Sequence, residues 1–234
     1  MKNIKMIKKI VLLLLVIAQT TKADDGILRN TVVMLSALHY EAEKKEFPFN
    51  WQGGFSDYPK GSEDFYQLKY EYIMHKNKYY PYISGINYSD DLFMYFKTKI
   101  KGFKKNTFYN VVFNIEFVTS IPDGLIGAGG SPGEGVAIKV GATTIEPMQD
   151  KYYMNIDIGH QQNSGKDMRV IGDFSNDTNS YDPVLKQLDN KKRPHRVLSN
   201  EFGEIWLIVG SDSGFEGHTH IIYTKLDYSI SEAK

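Results

Sequence analysis

Alternating apolar and polar residues are the sequence feature that most constrains the fold of this chain. In residues 109–118, the apolar side chains Val111, Phe113, Ile115 and Phe117 occupy every second position. A period of two in aromatic and β-branched residues predicts a strand with one buried face. Similar short segments recur up to residue 230, and clusters of Gly, Pro, Asn and Asp separate them. The pattern predicts an all-β fold, a jelly-roll-like antiparallel β-sandwich with long loops.

Other predicted strands follow the same reasoning and cover most of the chain after residue 65. They are residues 66–73, 92–100, 135–141, 152–158, 168–172, 205–210 and 220–230. Residues 173–193 are rich in Asn, Asp, Ser and Lys and predict a surface excursion with one helical turn near 184–188. Residues 27–45 fit either a helix or a strand, and the second half favours a strand.

The first 23 residues have the features of a secretory signal peptide. A start rich in lysine precedes an apolar run over residues 10–18, and small residues at Thr21 and Ala23 fit a cleavage site. The apolar run is much shorter than the roughly 20 residues that cross a bilayer. We therefore expect residues 1–23 to be removed, and residues 24–234 to form a single β-sandwich domain in the periplasm or outside the cell.

Charge and cysteine content exclude several classes of function. The whole chain carries 28 basic and 28 acidic residues, and loss of five lysines with the signal leaves a net charge of about −5. Such a balance argues against a nucleic-acid binder that relies on overall basicity. The absence of cysteine excludes a thiol nucleophile, a thiolate metal site, disulfides and a lipid-modified N-terminal Cys. An exported domain without disulfides points to a soluble bacterial protein.

The glycine-rich residues 127–135 superficially resemble a phosphate-binding loop. They lack the Gly-Lys-Ser/Thr ending of a P-loop and the spacing of a dinucleotide-binding loop. We interpret the segment as a connection between two strands. The alternative is a ligand-contacting loop in which backbone N–H groups and Glu134 bind a sugar or an ion.

Two groups of residues could bind a metal ion. His218 and His220 leave the same face of a predicted strand, although a zinc site needs three or four ligands. Without a third ligand at a known spacing, the pair is interpreted as an exposed strand end. Acidic residues could supply oxygen ligands for a structural calcium, but no EF-hand pattern is present.

Polar residues on the alternating strands form the main candidate ligand site. Asn114, Glu116, Lys139, Asn155 and Asp157 all lie opposite apolar positions of their predicted strands. If these strands are neighbours, acid, base and amide groups converge on one surface that can hold a polar ligand. The alternative is that they are ordinary charged residues of a solvated sheet face, paired across strands.

Aromatic residues add a second part to this candidate site. Residues 51–59 contain Gly-Gly and Pro, and they predict a loop that carries Trp51, Asp57 and Tyr58. The Trp51 ring is either a stacking surface for a sugar or a plug over the edge of the core.

Longer motifs connect the chain to known proteins. They resemble segments of a family of uncharacterised exported bacterial β-sandwich proteins. The segments are Trp51-Gln-Gly-Gly-Phe-Ser-Asp-Tyr-Pro59, Ile83-Ser-Gly-Ile-Asn-Tyr-Ser-Asp-Asp-Leu-Phe-Met94, Gly127-Ala-Gly-Gly-Ser-Pro-Gly-Glu134 and Trp206-Leu-Ile-Val-Gly-Ser-Asp-Ser-Gly-Phe-Glu216. The family has no established activity.

A more distant resemblance is to jelly-roll carbohydrate-binding modules of the galactose-binding-like type. It rests on the early Trp-Gly-Phe segment, on the turn Asn106-Thr-Phe-Tyr109 and on a late strand that carries an Asp. Such modules often have Pro before this turn, where this chain has Lys105. The resemblance implies a jelly-roll fold, and several of these modules hold a structural calcium.

These observations together predict an exported, non-catalytic protein that binds a polar ligand, most simply a glycan. The expected ligand-binding residues are Trp51, Asp57, Tyr58, Asn114, Glu116, Lys139, Asn155 and Asp157. One alternative is a polysaccharide hydrolase in which Glu116 and Asp157 form the carboxylate pair. Another is a surface protein that binds a partner protein.

Overall fold

A computed structural model describes residues 50–75 and 78–233 of the chain, and these residues form strands, turns and loops without a helix. No helix among them could therefore cross a membrane. The strands are β1 (Gln52–Ser56), β2 (Lys69–His75), β3 (Lys78–Ile86), β4 (Leu92–Lys101), β5 (Phe108–Thr119), β6 (Val136–Thr143), β7 (Gln149–Asp150), β8 (Tyr153–Met154), β9 (Met168–Asp173), β10 (Val184–Asp189), β11 (His195–Leu198), β12 (Glu204–Ser213) and β13 (His218–Glu232).

Two antiparallel sheets pack face to face, and successive strands cross between them. The five-stranded sheet has the order β1-β4-β12-β6-β9. The six-stranded sheet has the order β10-β5-β13-β3-β2, and β11 also pairs with β5. The chain crosses from one sheet to the other between β1 and β2, β3 and β4, β4 and β5, β5 and β6, β9 and β10, β11 and β12, and β12 and β13. This arrangement confirms the predicted β-sandwich of jelly-roll type.

The main core lies between the two sheets and explains the alternation in β5. Val111, Phe113, Ile115 and Phe117 are all buried in it, while the residues between them are partly exposed. The strands β6 and β12 are buried on both faces over most of their length. Central strands covered on both faces lose the alternating pattern and become nearly continuous apolar runs.

A long connection between β6 and β9 covers the outer face of the five-stranded sheet. Met154, Ile156 and Ile158 from this connection form a second core with side chains of that face, including Phe93 and Ile208. The prediction of a strand over residues 152–158 is wrong beyond the two-residue strand β8. The apolar residues alternate because every second side chain of this segment packs against the sheet.

The segment around Gly53 and Gly54 is a strand, whereas its glycines predicted a loop. Strand β1 pairs with β4 along its whole length, from Gln52↔Lys97 to Ser56↔Phe93. A Cβ atom at Gly53 would lie 2.2 Å from the ring of Tyr70, and one at Gly54 would lie 2.5 Å from the ring of Tyr95. The two glycines are therefore needed for close packing of aromatic rings against the backbone.

Three further predictions concern local structure. Residues 184–188 form strand β10 instead of the predicted helical turn, since they pair with β5 from Val184↔Thr119 to Asp189↔Asn114. The glycine-rich segment connects β5 to β6, as expected, and the carboxylate of Glu134 accepts hydrogen bonds from Gly124 N and Ser131 Oγ. Residues 1–23 and 27–45 lie outside the described residues.

Candidate functional site

Loops of several strands meet at one end of the sandwich, which we call the loop end. Asp57 follows β1, Asp91 precedes β4, and Asp212 lies close to the end of β12. The register Ser56↔Phe93↔Asp212↔Ala137 places Asp212 in one row with Ser56, which precedes Asp57, and with Phe93, which lies two residues after Asp91. This row lies under the connection that covers the outer face of the sheet.

A fully buried ion pair occupies the centre of this cluster. Lys139 Nζ lies 2.5 Å from Asp212 Oδ2 and also donates a hydrogen bond of 2.9 Å to the carbonyl oxygen of Ile158. Both charged side chains are at most 1% exposed. Burial of two charges is tolerated only when they are paired and hydrogen bonded, so Lys139 has a structural role here.

Two more carboxyl groups lie beside this ion pair. Burial raises the pKa of Asp57 to about 6. The hydrogen bond from Ser56 opposes this rise, and the negative charge of Asp212 adds to it. Burial also raises the pKa of Asp91, and the neighbouring Asp212 and Asp57 carboxylates raise it further. Asp91 therefore holds a proton more readily than an ordinary aspartate. Groups whose pKa is shifted by burial and by like charge are typical of functional sites, although structural networks shift pKa values too.

The loop end is accessible from solvent through Asp91 and His160. The Asp91 side chain is 18% exposed, its Oδ2 lies 3.5 Å from His160 Nε2, and the imidazole is 66% exposed. Gln161 Nε2 donates a hydrogen bond of 2.8 Å to the carbonyl oxygen of Asp90, which fixes the neighbouring loop. A carboxyl group and an imidazole that lie next to each other are therefore both accessible from solvent.

Two exposed aromatic rings, Phe65 and Tyr88, stand on the same loops, and we call them the aromatic pair. They are 63% and 51% exposed, and their ring centroids lie 4.6 Å apart. Tyr66 is buried below them and contacts both rings edge-on. Ser89, next to Tyr88, donates a hydrogen bond of 3.0 Å to the carbonyl oxygen of Asp57, which connects the aromatic pair to the acidic cluster.

Tyr58 supports the aromatic pair and is not exposed at the surface. Its ring is 4% exposed and contacts Tyr66 at 5.6 Å between centroids. Its hydroxyl donates a hydrogen bond of 2.9 Å to Glu63 Oε1. Burial and this acceptor raise the pKa of the Tyr58 phenol.

Trp51 lies far from Asp57 and Tyr58, contrary to the predicted loop that would hold all three together. Because residues 52–56 form β1, Trp51 and Asp57 lie at opposite ends of a strand, about 20 Å apart at about 3.3 Å per residue. The Trp51 ring is 9% exposed and packs in the main core, with the edge of Tyr228 against it. The structure therefore supports the interpretation of this ring as part of the core edge.

The predicted polar face does not exist as one surface. Asn114 and Glu116 lie on β5 in the six-stranded sheet, and their oxygens accept hydrogen bonds from Gln187 and Thr224. Lys139 lies on β6 in the other sheet, on its opposite outer face. The two strands are not neighbours, so these polar groups do not converge.

Asn155 and Asp157 belong to the covering connection and not to a strand. The side-chain amide of Asn155 closes a turn, because it accepts a hydrogen bond from Met148 N and donates one to Glu146 O. The Asp157 carboxylate accepts hydrogen bonds from Gly159 N and Lys166 N, which lower its pKa. Both side chains stabilise the loop that carries His160. Four of the eight predicted residues lie at the loop end, namely Asp57, Tyr58, Lys139 and Asp157. Most of them stabilise its loops through hydrogen bonds and ring contacts.

No group of three or more metal-ligating side chains is positioned to hold a metal ion in residues 50–75 and 78–233. The rings of His218 and His220 lie 5.5 Å apart on β13, and burial lowers both pKa values, that of His220 to about 4. The structural calcium that the resemblance implied stays a prediction.

Sequence reasoning did not select Asp91, Asp212 and His160 as one cluster. One available signal was the position of Asp212 within an otherwise apolar strand, since a charge in a strand buried on both faces needs a partner. The partner, Lys139, lies 73 residues away, and only the pairing of β12 with β6 brings the two together.

Comparison with known proteins gave only structural similarities. No family model matches the chain, and no curated protein matches it. A carbohydrate-binding module of the β-sandwich superfamily has 9% sequence identity and a TM-score of 0.38, with 78% of this chain and 58% of that chain covered. A CBM4 structure has 10% identity and a TM-score of 0.34, covering 84% and 98%. A CBM61 structure in complex with β-1,4-galactotriose has 11% identity and a TM-score of 0.32, covering 78% and 88%.

Solved carbohydrate-binding modules are thus among the structures to which this chain is similar, and it spans less than two thirds of the first of them. All three TM-scores lie below 0.5. The assignment of a β-sandwich follows from the strand order and the core described above.

Proposed function

We propose that this protein is an exported, non-catalytic glycan-binding protein whose ligand lies at the loop end. The observation that supports this proposal is the aromatic pair, Phe65 and Tyr88, exposed beside a polar cluster. Amphipathic and aromatic rings that are exposed next to polar groups suit a ligand with both apolar and polar surface.

A sugar suits this combination of groups. A pyranose has apolar C–H faces, which pack on aromatic rings, and an edge of hydroxyl groups, which need hydrogen-bond partners. The carboxyl group of Asp91 and the imidazole of His160 can supply those partners, because both reach solvent. A purely apolar ligand would leave these polar groups without a role.

The aromatic pair is held in place before any ligand binds. Tyr66 below the pair is fixed by backbone hydrogen bonds from its N–H to Ser62 O, at 3.0 Å, and from Ile86 N–H to its carbonyl, at 2.7 Å. Ordering of loops on binding reduces affinity, so a preformed surface favours recognition.

The alternative of a hydrolase that uses Glu116 and Asp157 has no geometric support. Glu116 lies on the outer face of the six-stranded sheet, whereas Asp157 lies above the outer face of the other sheet. Packed sheets are about 10 Å apart. Because the two side chains lie on opposite outer faces, their carboxyl groups are farther apart than the sheets themselves. Carboxylates of a glycosidase act from the two sides of one bond, at most about 9.5 Å apart.

Binding is tested with residues 24–234 on a glycan array, followed by titration of each positive glycan. We expect Phe65→Ala and Tyr88→Ala each to weaken the affinity about five- to tenfold, which corresponds to about 1–1.4 kcal/mol. Phe202→Ala is the matched control, because Phe202 is 70% exposed in the turn before β12, at the other end of the sandwich. All three variants should unfold within about 0.5 kcal/mol of the unmodified chain.

Unchanged affinity in both loop-end variants would contradict the proposed site, and the lack of any bound glycan would contradict the proposed function.

Export has its own test. Mass spectrometry of the protein recovered from a bacterial periplasm or culture medium should give an N-terminus close to residue 24, and recovery of the intact chain in the cytoplasm would contradict export.

A further inference from the structure

A short hairpin adds a second group of aromatic rings to the loop end. Strands β7 and β8 form this hairpin, and its turn brings Tyr152 next to Tyr153 at the start of β8. The two rings contact each other edge-on, at 4.8 Å between centroids. Successive side chains of a strand point to opposite faces, so burial of Met154 against the five-stranded sheet leaves Tyr153 outside, with 64% of it exposed. We call Tyr152 and Tyr153 the hairpin pair.

The hairpin is fixed to the segment that follows β1. Asp57 N donates a hydrogen bond of 2.7 Å to the carbonyl oxygen of Tyr152. The side-chain amide of Gln149 donates one of 3.0 Å to the carbonyl oxygen of Tyr58 and one of 3.3 Å to that of Tyr152. Asp57 belongs to the acidic cluster and Tyr58 supports the aromatic pair, so these bonds hold the backbone of the hairpin against the loop end.

A side-chain hydrogen bond connects the hairpin pair to the loop of the aromatic pair. The hydroxyl of Tyr152 is hydrogen bonded to the side chain of Ser89, which directly follows Tyr88 in the sequence. Burial raises the pKa of the Tyr152 phenol, this hydrogen bond opposes the rise, and the nearby charges of Asp57 and Asp91 add to it. Exposed rings, hydroxyl groups and a carboxyl group therefore follow one another across adjacent loops of the loop end.

We propose that the hairpin pair is a second subsite of the loop end, so that the ligand is an extended glycan of several units and not a single terminal sugar. The subsite rests on the proposed function, because the molecule that it binds is the same glycan. A pyranose is about as large as one aromatic side chain, so a single sugar does not contact both pairs of rings. An extended glycan contacts both, and its second contact then forms within the complex, which increases the affinity.

The dependence of affinity on glycan length tests the proposal. Residues 24–234 are titrated by calorimetry with linear β-1,4-linked oligosaccharides of glucose, galactose, xylose and N-acetylglucosamine, from disaccharide to hexasaccharide. The same series is made from the repeating unit of any further glycan that binds on the array. A site for one disaccharide gains only about fivefold along such a series, from the extra positions that a hexasaccharide offers, whereas two linked subsites should gain about twentyfold or more.

Two variants identify the rings that bind the glycan. Tyr153→Ala and Phe65→Ala each leave only one intact pair, so each should reduce the ratio of hexasaccharide to disaccharide affinity to about fivefold. Phe202→Ala is the matched control for loss of an exposed ring, because Phe202 is 70% exposed at the other end of the sandwich, and it should keep the full ratio. Tyr153 is itself 64% exposed, so Tyr153→Ala should keep the unfolding midpoint of the unmodified chain.

The proposal is overturned if the affinity of the unmodified chain rises no more than about fivefold with glycan length, or if Tyr153→Ala keeps the full increase. In both cases a glycan still binds, and weaker binding by Phe65→Ala would then leave the proposed function in place. The absence of binding to every glycan overturns the proposed function and the second subsite together, so the two failures are distinguishable.

Discussion

Asp57 should lower the stability of the native protein at neutral pH, and Asp57→Asn should remove this effect. The carboxyl group is 3% exposed, and its pKa rises from 3.8 to about 6 on folding. Between these two values the unfolded chain releases a proton that the native protein keeps. Stability therefore falls as the pH rises through this window, and the full contribution is present only below about pH 3.8.

The magnitude follows from the two pKa values. At about 1.4 kcal/mol for each pH unit between them, the ionised carboxylate costs about 3 kcal/mol above pH 7. Asparagine is a close substitute, because it tolerates the φ angle of 64° at this position and its amide oxygen can accept the hydrogen bond from Ser56 Oγ. The Asp57→Asn variant should therefore match the unmodified chain below pH 4 and exceed it by about 3 kcal/mol at pH 8.

Urea unfolding at pH 4 to 8 measures this difference, and melting temperatures should differ by about 6–12 °C at pH 8. Asp90→Asn is a suitable control, since Asp90 is exposed and has the similar φ angle of 63°. It should change stability by less than about 0.5 kcal/mol at each pH. A variant at position 57 that is less stable than the unmodified chain at pH 8 would refute the reasoning, because the ionised carboxylate would then be stabilising.

Two further substitutions test buried polar groups. Lys139→Met leaves Asp212 buried without its cation and should lower the free energy of unfolding by about 3–5 kcal/mol. The added change Asp212→Asn should recover much of that loss, and equal stability of the single and double variants in urea unfolding would contradict this. Asn190→Ala removes the bonds of the buried amide to Phe113 N, at 2.6 Å, and Val111 O, at 3.1 Å. Thermal unfolding should show a loss of about 1–3 kcal/mol, and a loss below about 0.5 kcal/mol would mean that water replaces the amide.

The strands were predictable where one face is buried and the other is solvated. In β5, Phe113 and Ile115 alternate with Asn114, so the sequence alone identified the strand and its buried face. The strand β1 was missed because Gly53 and Gly54 usually indicate a loop, and the aromatic rings that require them come from other strands. Propensity is local, whereas this packing depends on residues that are distant in sequence.

The covering connection shows a different limit of sequence reasoning. Met154, Ile156 and Ile158 alternate as they would in a strand, although only β8 at the start of this segment is a strand. A segment that lies flat on a sheet also inserts every second side chain, so its periodicity cannot distinguish it from a strand. The error displaced Asn155 and Asp157 from the sheet face where the candidate site had placed them.

The candidate site could not be assembled from the sequence because strand order decides which side chains meet. Lys139 was expected beside Glu116, but β6 pairs with β12 and β9, and β5 lies in the other sheet. The same pairing brings Lys139 to Asp212, two positions along the neighbouring strand from its register partner Gly210. A residue type at a given position indicates a possible chemistry, and the sheet topology then selects its partner.

The buried ion pair bears on the binding that we propose at the loop end. Loss of one partner from a buried ion pair is costly, so Lys139 and Asp212 stay paired in the folded chain. Lys139 also donates a hydrogen bond to Ile158 O, and Asp157 caps the following turn through Gly159 N. These contacts fix the backbone of the covering connection at residues 158 and 159, directly before His160. Binding then needs little ordering of the loop, which is the condition under which a small exposed surface can give useful affinity.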